Sequence, residues 1–191
     1  MSDVFAVLAE DHEEVQALLA ELEIGPTRAT AVTRDQLMLR KRLTQRLIIS
    51  ESKHEALEEM YFWPVVRVYH PSGDTLADEA IRQEQHAKDV LAGLDKLDAG
   101  EPEFEQLLGT FTCAAREHIR FEETQVWPDM RAALSAQTAA ELRGKIAAAK
   151  RAAPSRPHPH TPPSPGLLKA AGPVVAAADR ARDAVTRRGS D

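Results

Sequence analysis

The sequence predicts an all-α protein, an up-down four-helix bundle followed by a helical appendage. Three observations carry this expectation. Apolar residues recur at spacings of three and four over long stretches, those stretches are bounded by capping residues and Gly or Pro stops, and β-hairpin signals are missing, with no Asn anywhere in the 191 residues.

Ser2 or Asp3 is placed to cap a first helix, in which Val4, Leu8, Val15, Leu18, Leu19 and Leu22 share a face and Gly25-Pro26 forms the stop. A second helix begins near Thr33 or Asp35, carries Leu37, Leu43, Leu47 and Ile48, and runs past Pro64 to His70-Pro71-Ser72-Gly73. Asp74 or Thr75 caps a third, which ends at Asp98-Ala99-Gly100. The fourth starts near Pro102, carries Leu107, Leu108, Phe111, Ile119 and Val126, and is disturbed at Pro128. Ser135 caps a shorter helix reaching about Ala152. The Pro-rich stretch from Pro154 to Pro165 fixes φ and removes amide donors, so it is expected to be extended. After it, Leu168, Val174, Val175 and Val185 mark an amphipathic helix. The expected organisation is a bundle over residues 1–150, a linker over 151–166 and a basic tail over 167–191.

Composition narrows the function classes. Hydrophobic residues make up 43% and charged residues 28%, which suits a globular chain. No apolar run approaches the roughly 20 residues that cross a membrane. The N-terminus has neither a basic n-region nor a cleavage site, and the single Cys113 forms no internal disulfide, so the expected compartment is the cytoplasm. The net charge is −6, of which residues 151–191 contribute +4 (seven Lys/Arg against three Asp), leaving −10 on the body. A body of that sign is a poor nucleic-acid binder, because phosphate contacts need surplus Lys and Arg.

An internal repeat carries the chemistry. His54-Glu-Ala-Leu-Glu58-Glu59-Met-Tyr-Phe-Trp63-Pro64 aligns with His118-Ile-Arg-Phe-Glu122-Glu123-Thr-Gln-Val-Trp127-Pro128, and His, the Glu pair, Trp and Pro all recur at an offset of 64 (118 − 54, 122 − 58, 127 − 63). Four residues at about 100° each return a side chain to one helix face, so each His-x-x-x-Glu offers an imidazole and a carboxylate to one cation. The helix before each segment adds one histidine, His12 and His86. Four imidazoles and two carboxylates with open positions suit iron better than zinc, and two carboxylates suit two metals that they bridge. A lone pair of this kind is commonly a surface ion pair; the joint recurrence with Trp-Pro favours metal. Tyr61 follows Glu58 by three and shares its face. It is either a ligand, a hydrogen-bonding neighbour of the ligands, or a packing tyrosine. His70, His158 and His160 lie beside prolines and are set apart from the site.

The order His, His-x-x-x-Glu-Glu, His, His-x-x-x-Glu-Glu over residues 5–135 resembles the hemerythrin-like (HHE cation-binding) family. Ferritin-like bundles use the reverse order, Glu-x-x-His. The resemblance implies an up-down bundle holding two Fe ions, a non-haem di-iron centre, on His12, His54, Glu58, His86, His118 and Glu122. Oxygen-carrying members have His-x-x-x-His in the third helix, whereas His86 is flanked at four residues by Arg82 and Val90. They also have His-x-x-x-x-Asp in the fourth, where Glu122 and Glu123 stand here. The resemblance therefore implies a protein that handles peroxide or dioxygen, with hydrogen peroxide disproportionation as the expected reaction. The alternative is a module that binds or senses O2, nitric oxide or iron without turnover. Iron storage is the weakest of these readings, since no cage-forming motif is present.

Overall fold

The computed structural model describes residues 3–161 and 165–186; Ser2, the alternative first cap, lies outside them. The helices are α1 (Val4–Ile24), α2 (Arg34–Leu57), α3 (Trp63–Tyr69), α4 (Gly73–Lys96), α5 (Pro102–Phe121), α6 (Trp127–Ala133), α7 (Ala136–Ala149) and α8 (Pro165–Thr186). Among the described residues there is no strand. The α1, α2–α3, α4 and α5–α6 units form the bundle, with α1 against α2 and α4 against α5, while α7 lies along α1.

Local chemistry sets the boundaries. Asp3 accepts from the Ala6 amide at 3.0 Å, Thr33 and Gln36 close a reciprocal capping box, and Ser135 accepts from the Thr138 amide at 3.1 Å. The third helix begins one residue before the expected caps, at Gly73. A Cβ there would lie 2.3 Å from the Val66 carbonyl oxygen, so only glycine lets α4 start this close to the end of α3.

The prolines of the repeat neither end their helices nor simply kink them. Each follows a single π-helical turn, Glu58–Phe62 before Pro64 and Glu122–Val126 before Pro128, and an α-helix resumes at Trp63 and Trp127. Proline lacks an amide hydrogen and its ring clashes with the carbonyl four residues back. Widening the turn lets the Trp63 amide bond to Glu58 O and the Trp127 amide to Glu122 O, five residues back.

The core is split in two. One apolar cluster holds Phe5, Leu8, Leu57, Phe62, Trp63, Trp127 and Met130, and the other holds Leu19, Leu22, Leu47, Leu91, Phe104 and Phe111. Between them α1, α2, α4 and α5 bury polar residues instead: His12 after Leu8, His54 before Leu57, Glu84 between Ala80 and Ala87, and His118 after Ala115.

Residues 151–161 and α8 fold back onto this body. Ser155 donates through its amide and hydroxyl to Asp179 and Asp183, Arg156 pairs with Asp183 at 2.8 Å, and His158 pairs with Asp179 at 2.9 Å. Gln85 on α4 donates to the Pro159 carbonyl at 2.8 Å. The linker expected to run extended is thus fastened at several points, and the tail expected to be basic docks through its acids. Its buried stripe is Leu168, Gly172, Ala176 and Asp179, whereas Val174 and Val185 are 72% and 85% exposed. Residues 187–191, which carry Arg187 and Arg188, lie outside the described residues.

Candidate metal centre

Six side chains converge in the polar layer. His12, His54, Glu58 and Glu122 bring one donor atom each within 4.8 Å of one another, and Glu58, Glu84 and His118 do the same. His12 Nε2 lies 2.9 Å from Glu122 Oε2, and His54 Nε2 lies 3.2 Å from Glu58 Oε2. Neighbouring donors around a cation with bonds of ~2.1 Å sit roughly 3 Å apart, so these separations are of ligand size. On the other side His118 Nε2 is 3.9 Å from Glu58 Oε2, from Glu84 Oε1 and from Glu122 Oε1. Glu58 and Glu122, both wholly buried, therefore reach toward both halves of the cluster.

The donor atoms fit a cation by a second measure. Buried polar atoms are nearly always hydrogen-bonded. Here His12 Nε2, His54 Nε2, both oxygens of Glu58 and of Glu122, Glu84 Oε2 and His118 Nε2 are all buried without a hydrogen-bond partner. Their outward atoms, by contrast, are largely held. His12 Nδ1 donates to Glu123 Oε1 at 2.8 Å and His118 Nδ1 to Gln83 Oε1 at 3.0 Å, which leaves each Nε2 lone pair facing inward. Trp63 Nε1 donates to Glu84 Oε1 at 2.5 Å. Behind His54, at 3.7 Å from its Nδ1, Asp11 is in turn paired with Lys150 from the turn after α7. Trp127 stacks on His12 with the rings 10° from parallel and 5.0 Å apart.

Electrostatics sharpen the picture. Burial favours neutral imidazole, yet Glu122 beside His12 raises its pKa, and Glu58 and Asp11 raise that of His54 well above the ordinary value. His118 is likewise raised, burial being outweighed by Glu122 and Glu58. Burial would also raise Glu58, but His54 and His118 hold it far below the carboxylate range. Glu84 and Glu122 are pushed up by burial and then by the neighbouring acids Glu59 and Glu58. Carboxylates in this state gain from positive charge at their free oxygens.

Of the residues expected from sequence, the structure brings together His12, His54, Glu58, His118 and Glu122. It does not bring in His86, which is exposed on α4. Two residues along a helix is about 200°, so His86 points away where Glu84 points in. The signal for Glu84 was present: Ala77, Ala80, Glu84, Ala87, Leu91 and Leu94 form one buried stripe spaced by threes and fours, and His86 is out of phase with it. Nor does the repeat extend to the lone histidines, because 86 − 12 gives 74 rather than 64. Tyr61 lies half-buried within the π turn Glu58–Phe62, with Lys169 of α8 4.8 Å from its ring centre.

No helix among the described residues is long and apolar enough to cross a membrane. Comparison with curated proteins finds no match. A crystal structure of a hemerythrin HHE cation-binding domain-containing protein from Mycobacterium kansasii is similar, with a TM-score of 0.64 at 21% identity over 78% of this chain and 86% of that one; at that identity the likeness is one of fold. The Hemerythrin HHE cation binding domain family matches residues 3–151. That match spans well over half of the chain, and the chain belongs to the hemerythrin HHE cation-binding family.

Proposed function

We propose that this protein is a non-haem di-iron protein that disproportionates hydrogen peroxide and does not carry dioxygen reversibly. His12, His54, Glu58, Glu84, His118 and Glu122 are its ligands, and two bound iron ions supply a two-electron redox couple. In the net reaction one peroxide loses two electrons and two protons to become O2, and a second gains them to become two waters. The observation that carries this reading is the third carboxylate, Glu84, where an imidazole was expected. Anionic oxygen donors favour ferric over ferrous iron, and reversible O2 carriage needs a stable ferrous pair. The apolar layers on either side exclude bulk water, while exposed Glu123, bonded to His12 Nδ1, offers protons a route to solvent. The acidic body makes nucleic acid an unsuitable partner, and the exposed free Cys113 suits the cytoplasm.

A second reading, a sensor of O2, nitric oxide or iron, draws on one observation: α8 packs on the Glu58–Phe62 turn, so changes at Glu58 have a short path to the appendage. To separate the two, iron-loaded protein is reduced anaerobically, exposed to O2, and the O2 pressure is lowered; peroxide consumption is measured in parallel. Peroxide loss with no reversible oxygenated spectrum supports turnover. A spectrum that reverses with pressure while peroxide persists refutes it.

A further inference from the structure

We propose that the two halves of this centre are unlike metal positions: the His12/His54 half selects iron, and the His118/Glu84 half accepts manganese(II) in preference to a second iron when both cations are on offer. The inference rests on the dinuclear reading above and refines which ion fills each half; iron supplied alone fills both.

The unshared donors differ first. One half has two imidazoles, the other one imidazole and one carboxylate, with Glu58 and Glu122 reaching toward both. Imidazole nitrogen suits iron, and carboxylate oxygen suits manganese. Divalent iron ordinarily outcompetes manganese at a given site, and selection between them comes from ligand type, geometry and metal availability rather than from raw affinity.

The groups behind the donors push the same way. His12 is backed by the Glu123 carboxylate at 2.8 Å, and His54 faces the Asp11 carboxylate at 3.7 Å. Anionic partners on the far nitrogen make an imidazole a stronger donor. His118 is backed instead by the neutral amide oxygen of Gln83 at 3.0 Å. Glu84 receives the Trp63 indole N–H at 2.5 Å on Oε1, which draws density from the carboxylate and leaves Oε2 as its free oxygen. The two groups hydrogen-bonded to the His118/Glu84 half from outside, the Gln83 amide and the Trp63 indole, are both neutral, so its donors are less reinforced than those of the His12/His54 half.

The test uses full-length protein stripped of metal and incubated anaerobically with equal, excess iron(II) and manganese(II). After gel filtration, elemental analysis and manganese electron paramagnetic resonance are read. The expected content is about one iron and one manganese per chain. His12→Ala is expected to lose the iron and keep the manganese, and Glu84→Ala the reverse. Glu84→His, which restores an imidazole, is expected to raise iron toward two and drop manganese at least fivefold. Helicity by circular dichroism checks that each variant is folded; the wild-type content decides the matter even if one is not. Two irons and no manganese in the wild type overturns the inequality and leaves the dinuclear reading standing. Fewer than two metals in total overturns both.

Discussion

Lys88 sits on α4 one turn beyond Glu84, among acids that would otherwise be uncompensated, and replacing it with methionine probes how that layer is held. Its Nζ lies 2.5 Å from Glu59 Oε1, with the side chains 10% and 4% exposed. Glu55 is buried nearby with Oε2 lacking a hydrogen-bond partner, and burial raises its pKa well above the ordinary value. Removing one member of a buried pair leaves the other as a desolvated charge, which costs about 3–5 kcal/mol. Against a total stability of roughly 5–15 kcal/mol, that is a large share. With a urea slope of about 2 kcal/mol/M, the midpoint of metal-free Lys88→Met protein should fall by roughly 1.5–2.5 M. The double variant Lys88→Met/Glu59→Met removes both charges and should recover most of the loss, because the net worth of such a pair is near zero. The sign with pH is fixed too. Burial pushes the Lys88 pKa down, but Glu55, Glu84 and Glu59 raise it above the unfolded value. Its contribution is therefore full below about pH 10.4 and is lost only as pH rises through the higher folded value. A single variant within about 1 kcal/mol of wild type, or a double variant as unstable as the single, would refute the argument.

Other expectations are simpler. His86→Ala should leave metal content unchanged, since the side chain is exposed, whereas His54→Ala or His118→Ala should lose metal; loss on His86→Ala, measured by elemental analysis, would contradict the assignment of Glu84. Phe5→Ala should destabilise by roughly 3–5 kcal/mol in urea titration, because Phe5 is fully buried against Phe62 and against Trp127, the ring that stacks on His12. Truncation after Arg151 should leave a helical, metal-binding bundle, since all six donors precede it. It should lower stability by about 2 kcal/mol through loss of Leu168 burial. Collapse of far-ultraviolet circular dichroism on truncation would instead make α8 part of the folding core.

Much of the centre was legible along the chain because its logic is local. His54 with Glu58, and His118 with Glu122, share a face by helix geometry alone, and the recurrence of Trp-Pro five residues after each Glu marked the pairs as one device used twice. The helix starts at Asp3, Thr33 and Ser135 followed from capping chemistry for the same reason, whereas the third helix began at Gly73, ahead of the caps expected for it. What the prolines do to the turn before them was not legible, since proline disrupts a helix by termination, kink or π turn and only packing on both sides selects among these.

The rest depends on which faces meet, and no spacing encodes that directly. Glu123 reaches His12 across 111 residues of chain, and Lys150 reaches Asp11 across 139. A histidine drew attention to position 86 by its chemistry, but the apolar phase of α4, set by burial against its neighbours, turns Glu84 inward. Charge count alone made the tail basic, yet it docks through Asp179 and Asp183 because the linker that returns beside it presents Ser155, Arg156 and His158. The sequence by itself determined the helices and the paired His-x-x-x-Glu motifs, which are properties of single helices. Tertiary structure decided which sixth side chain joins the cluster, the partners behind it and the seat of the appendage, because those are set by the rotation of one helix against another.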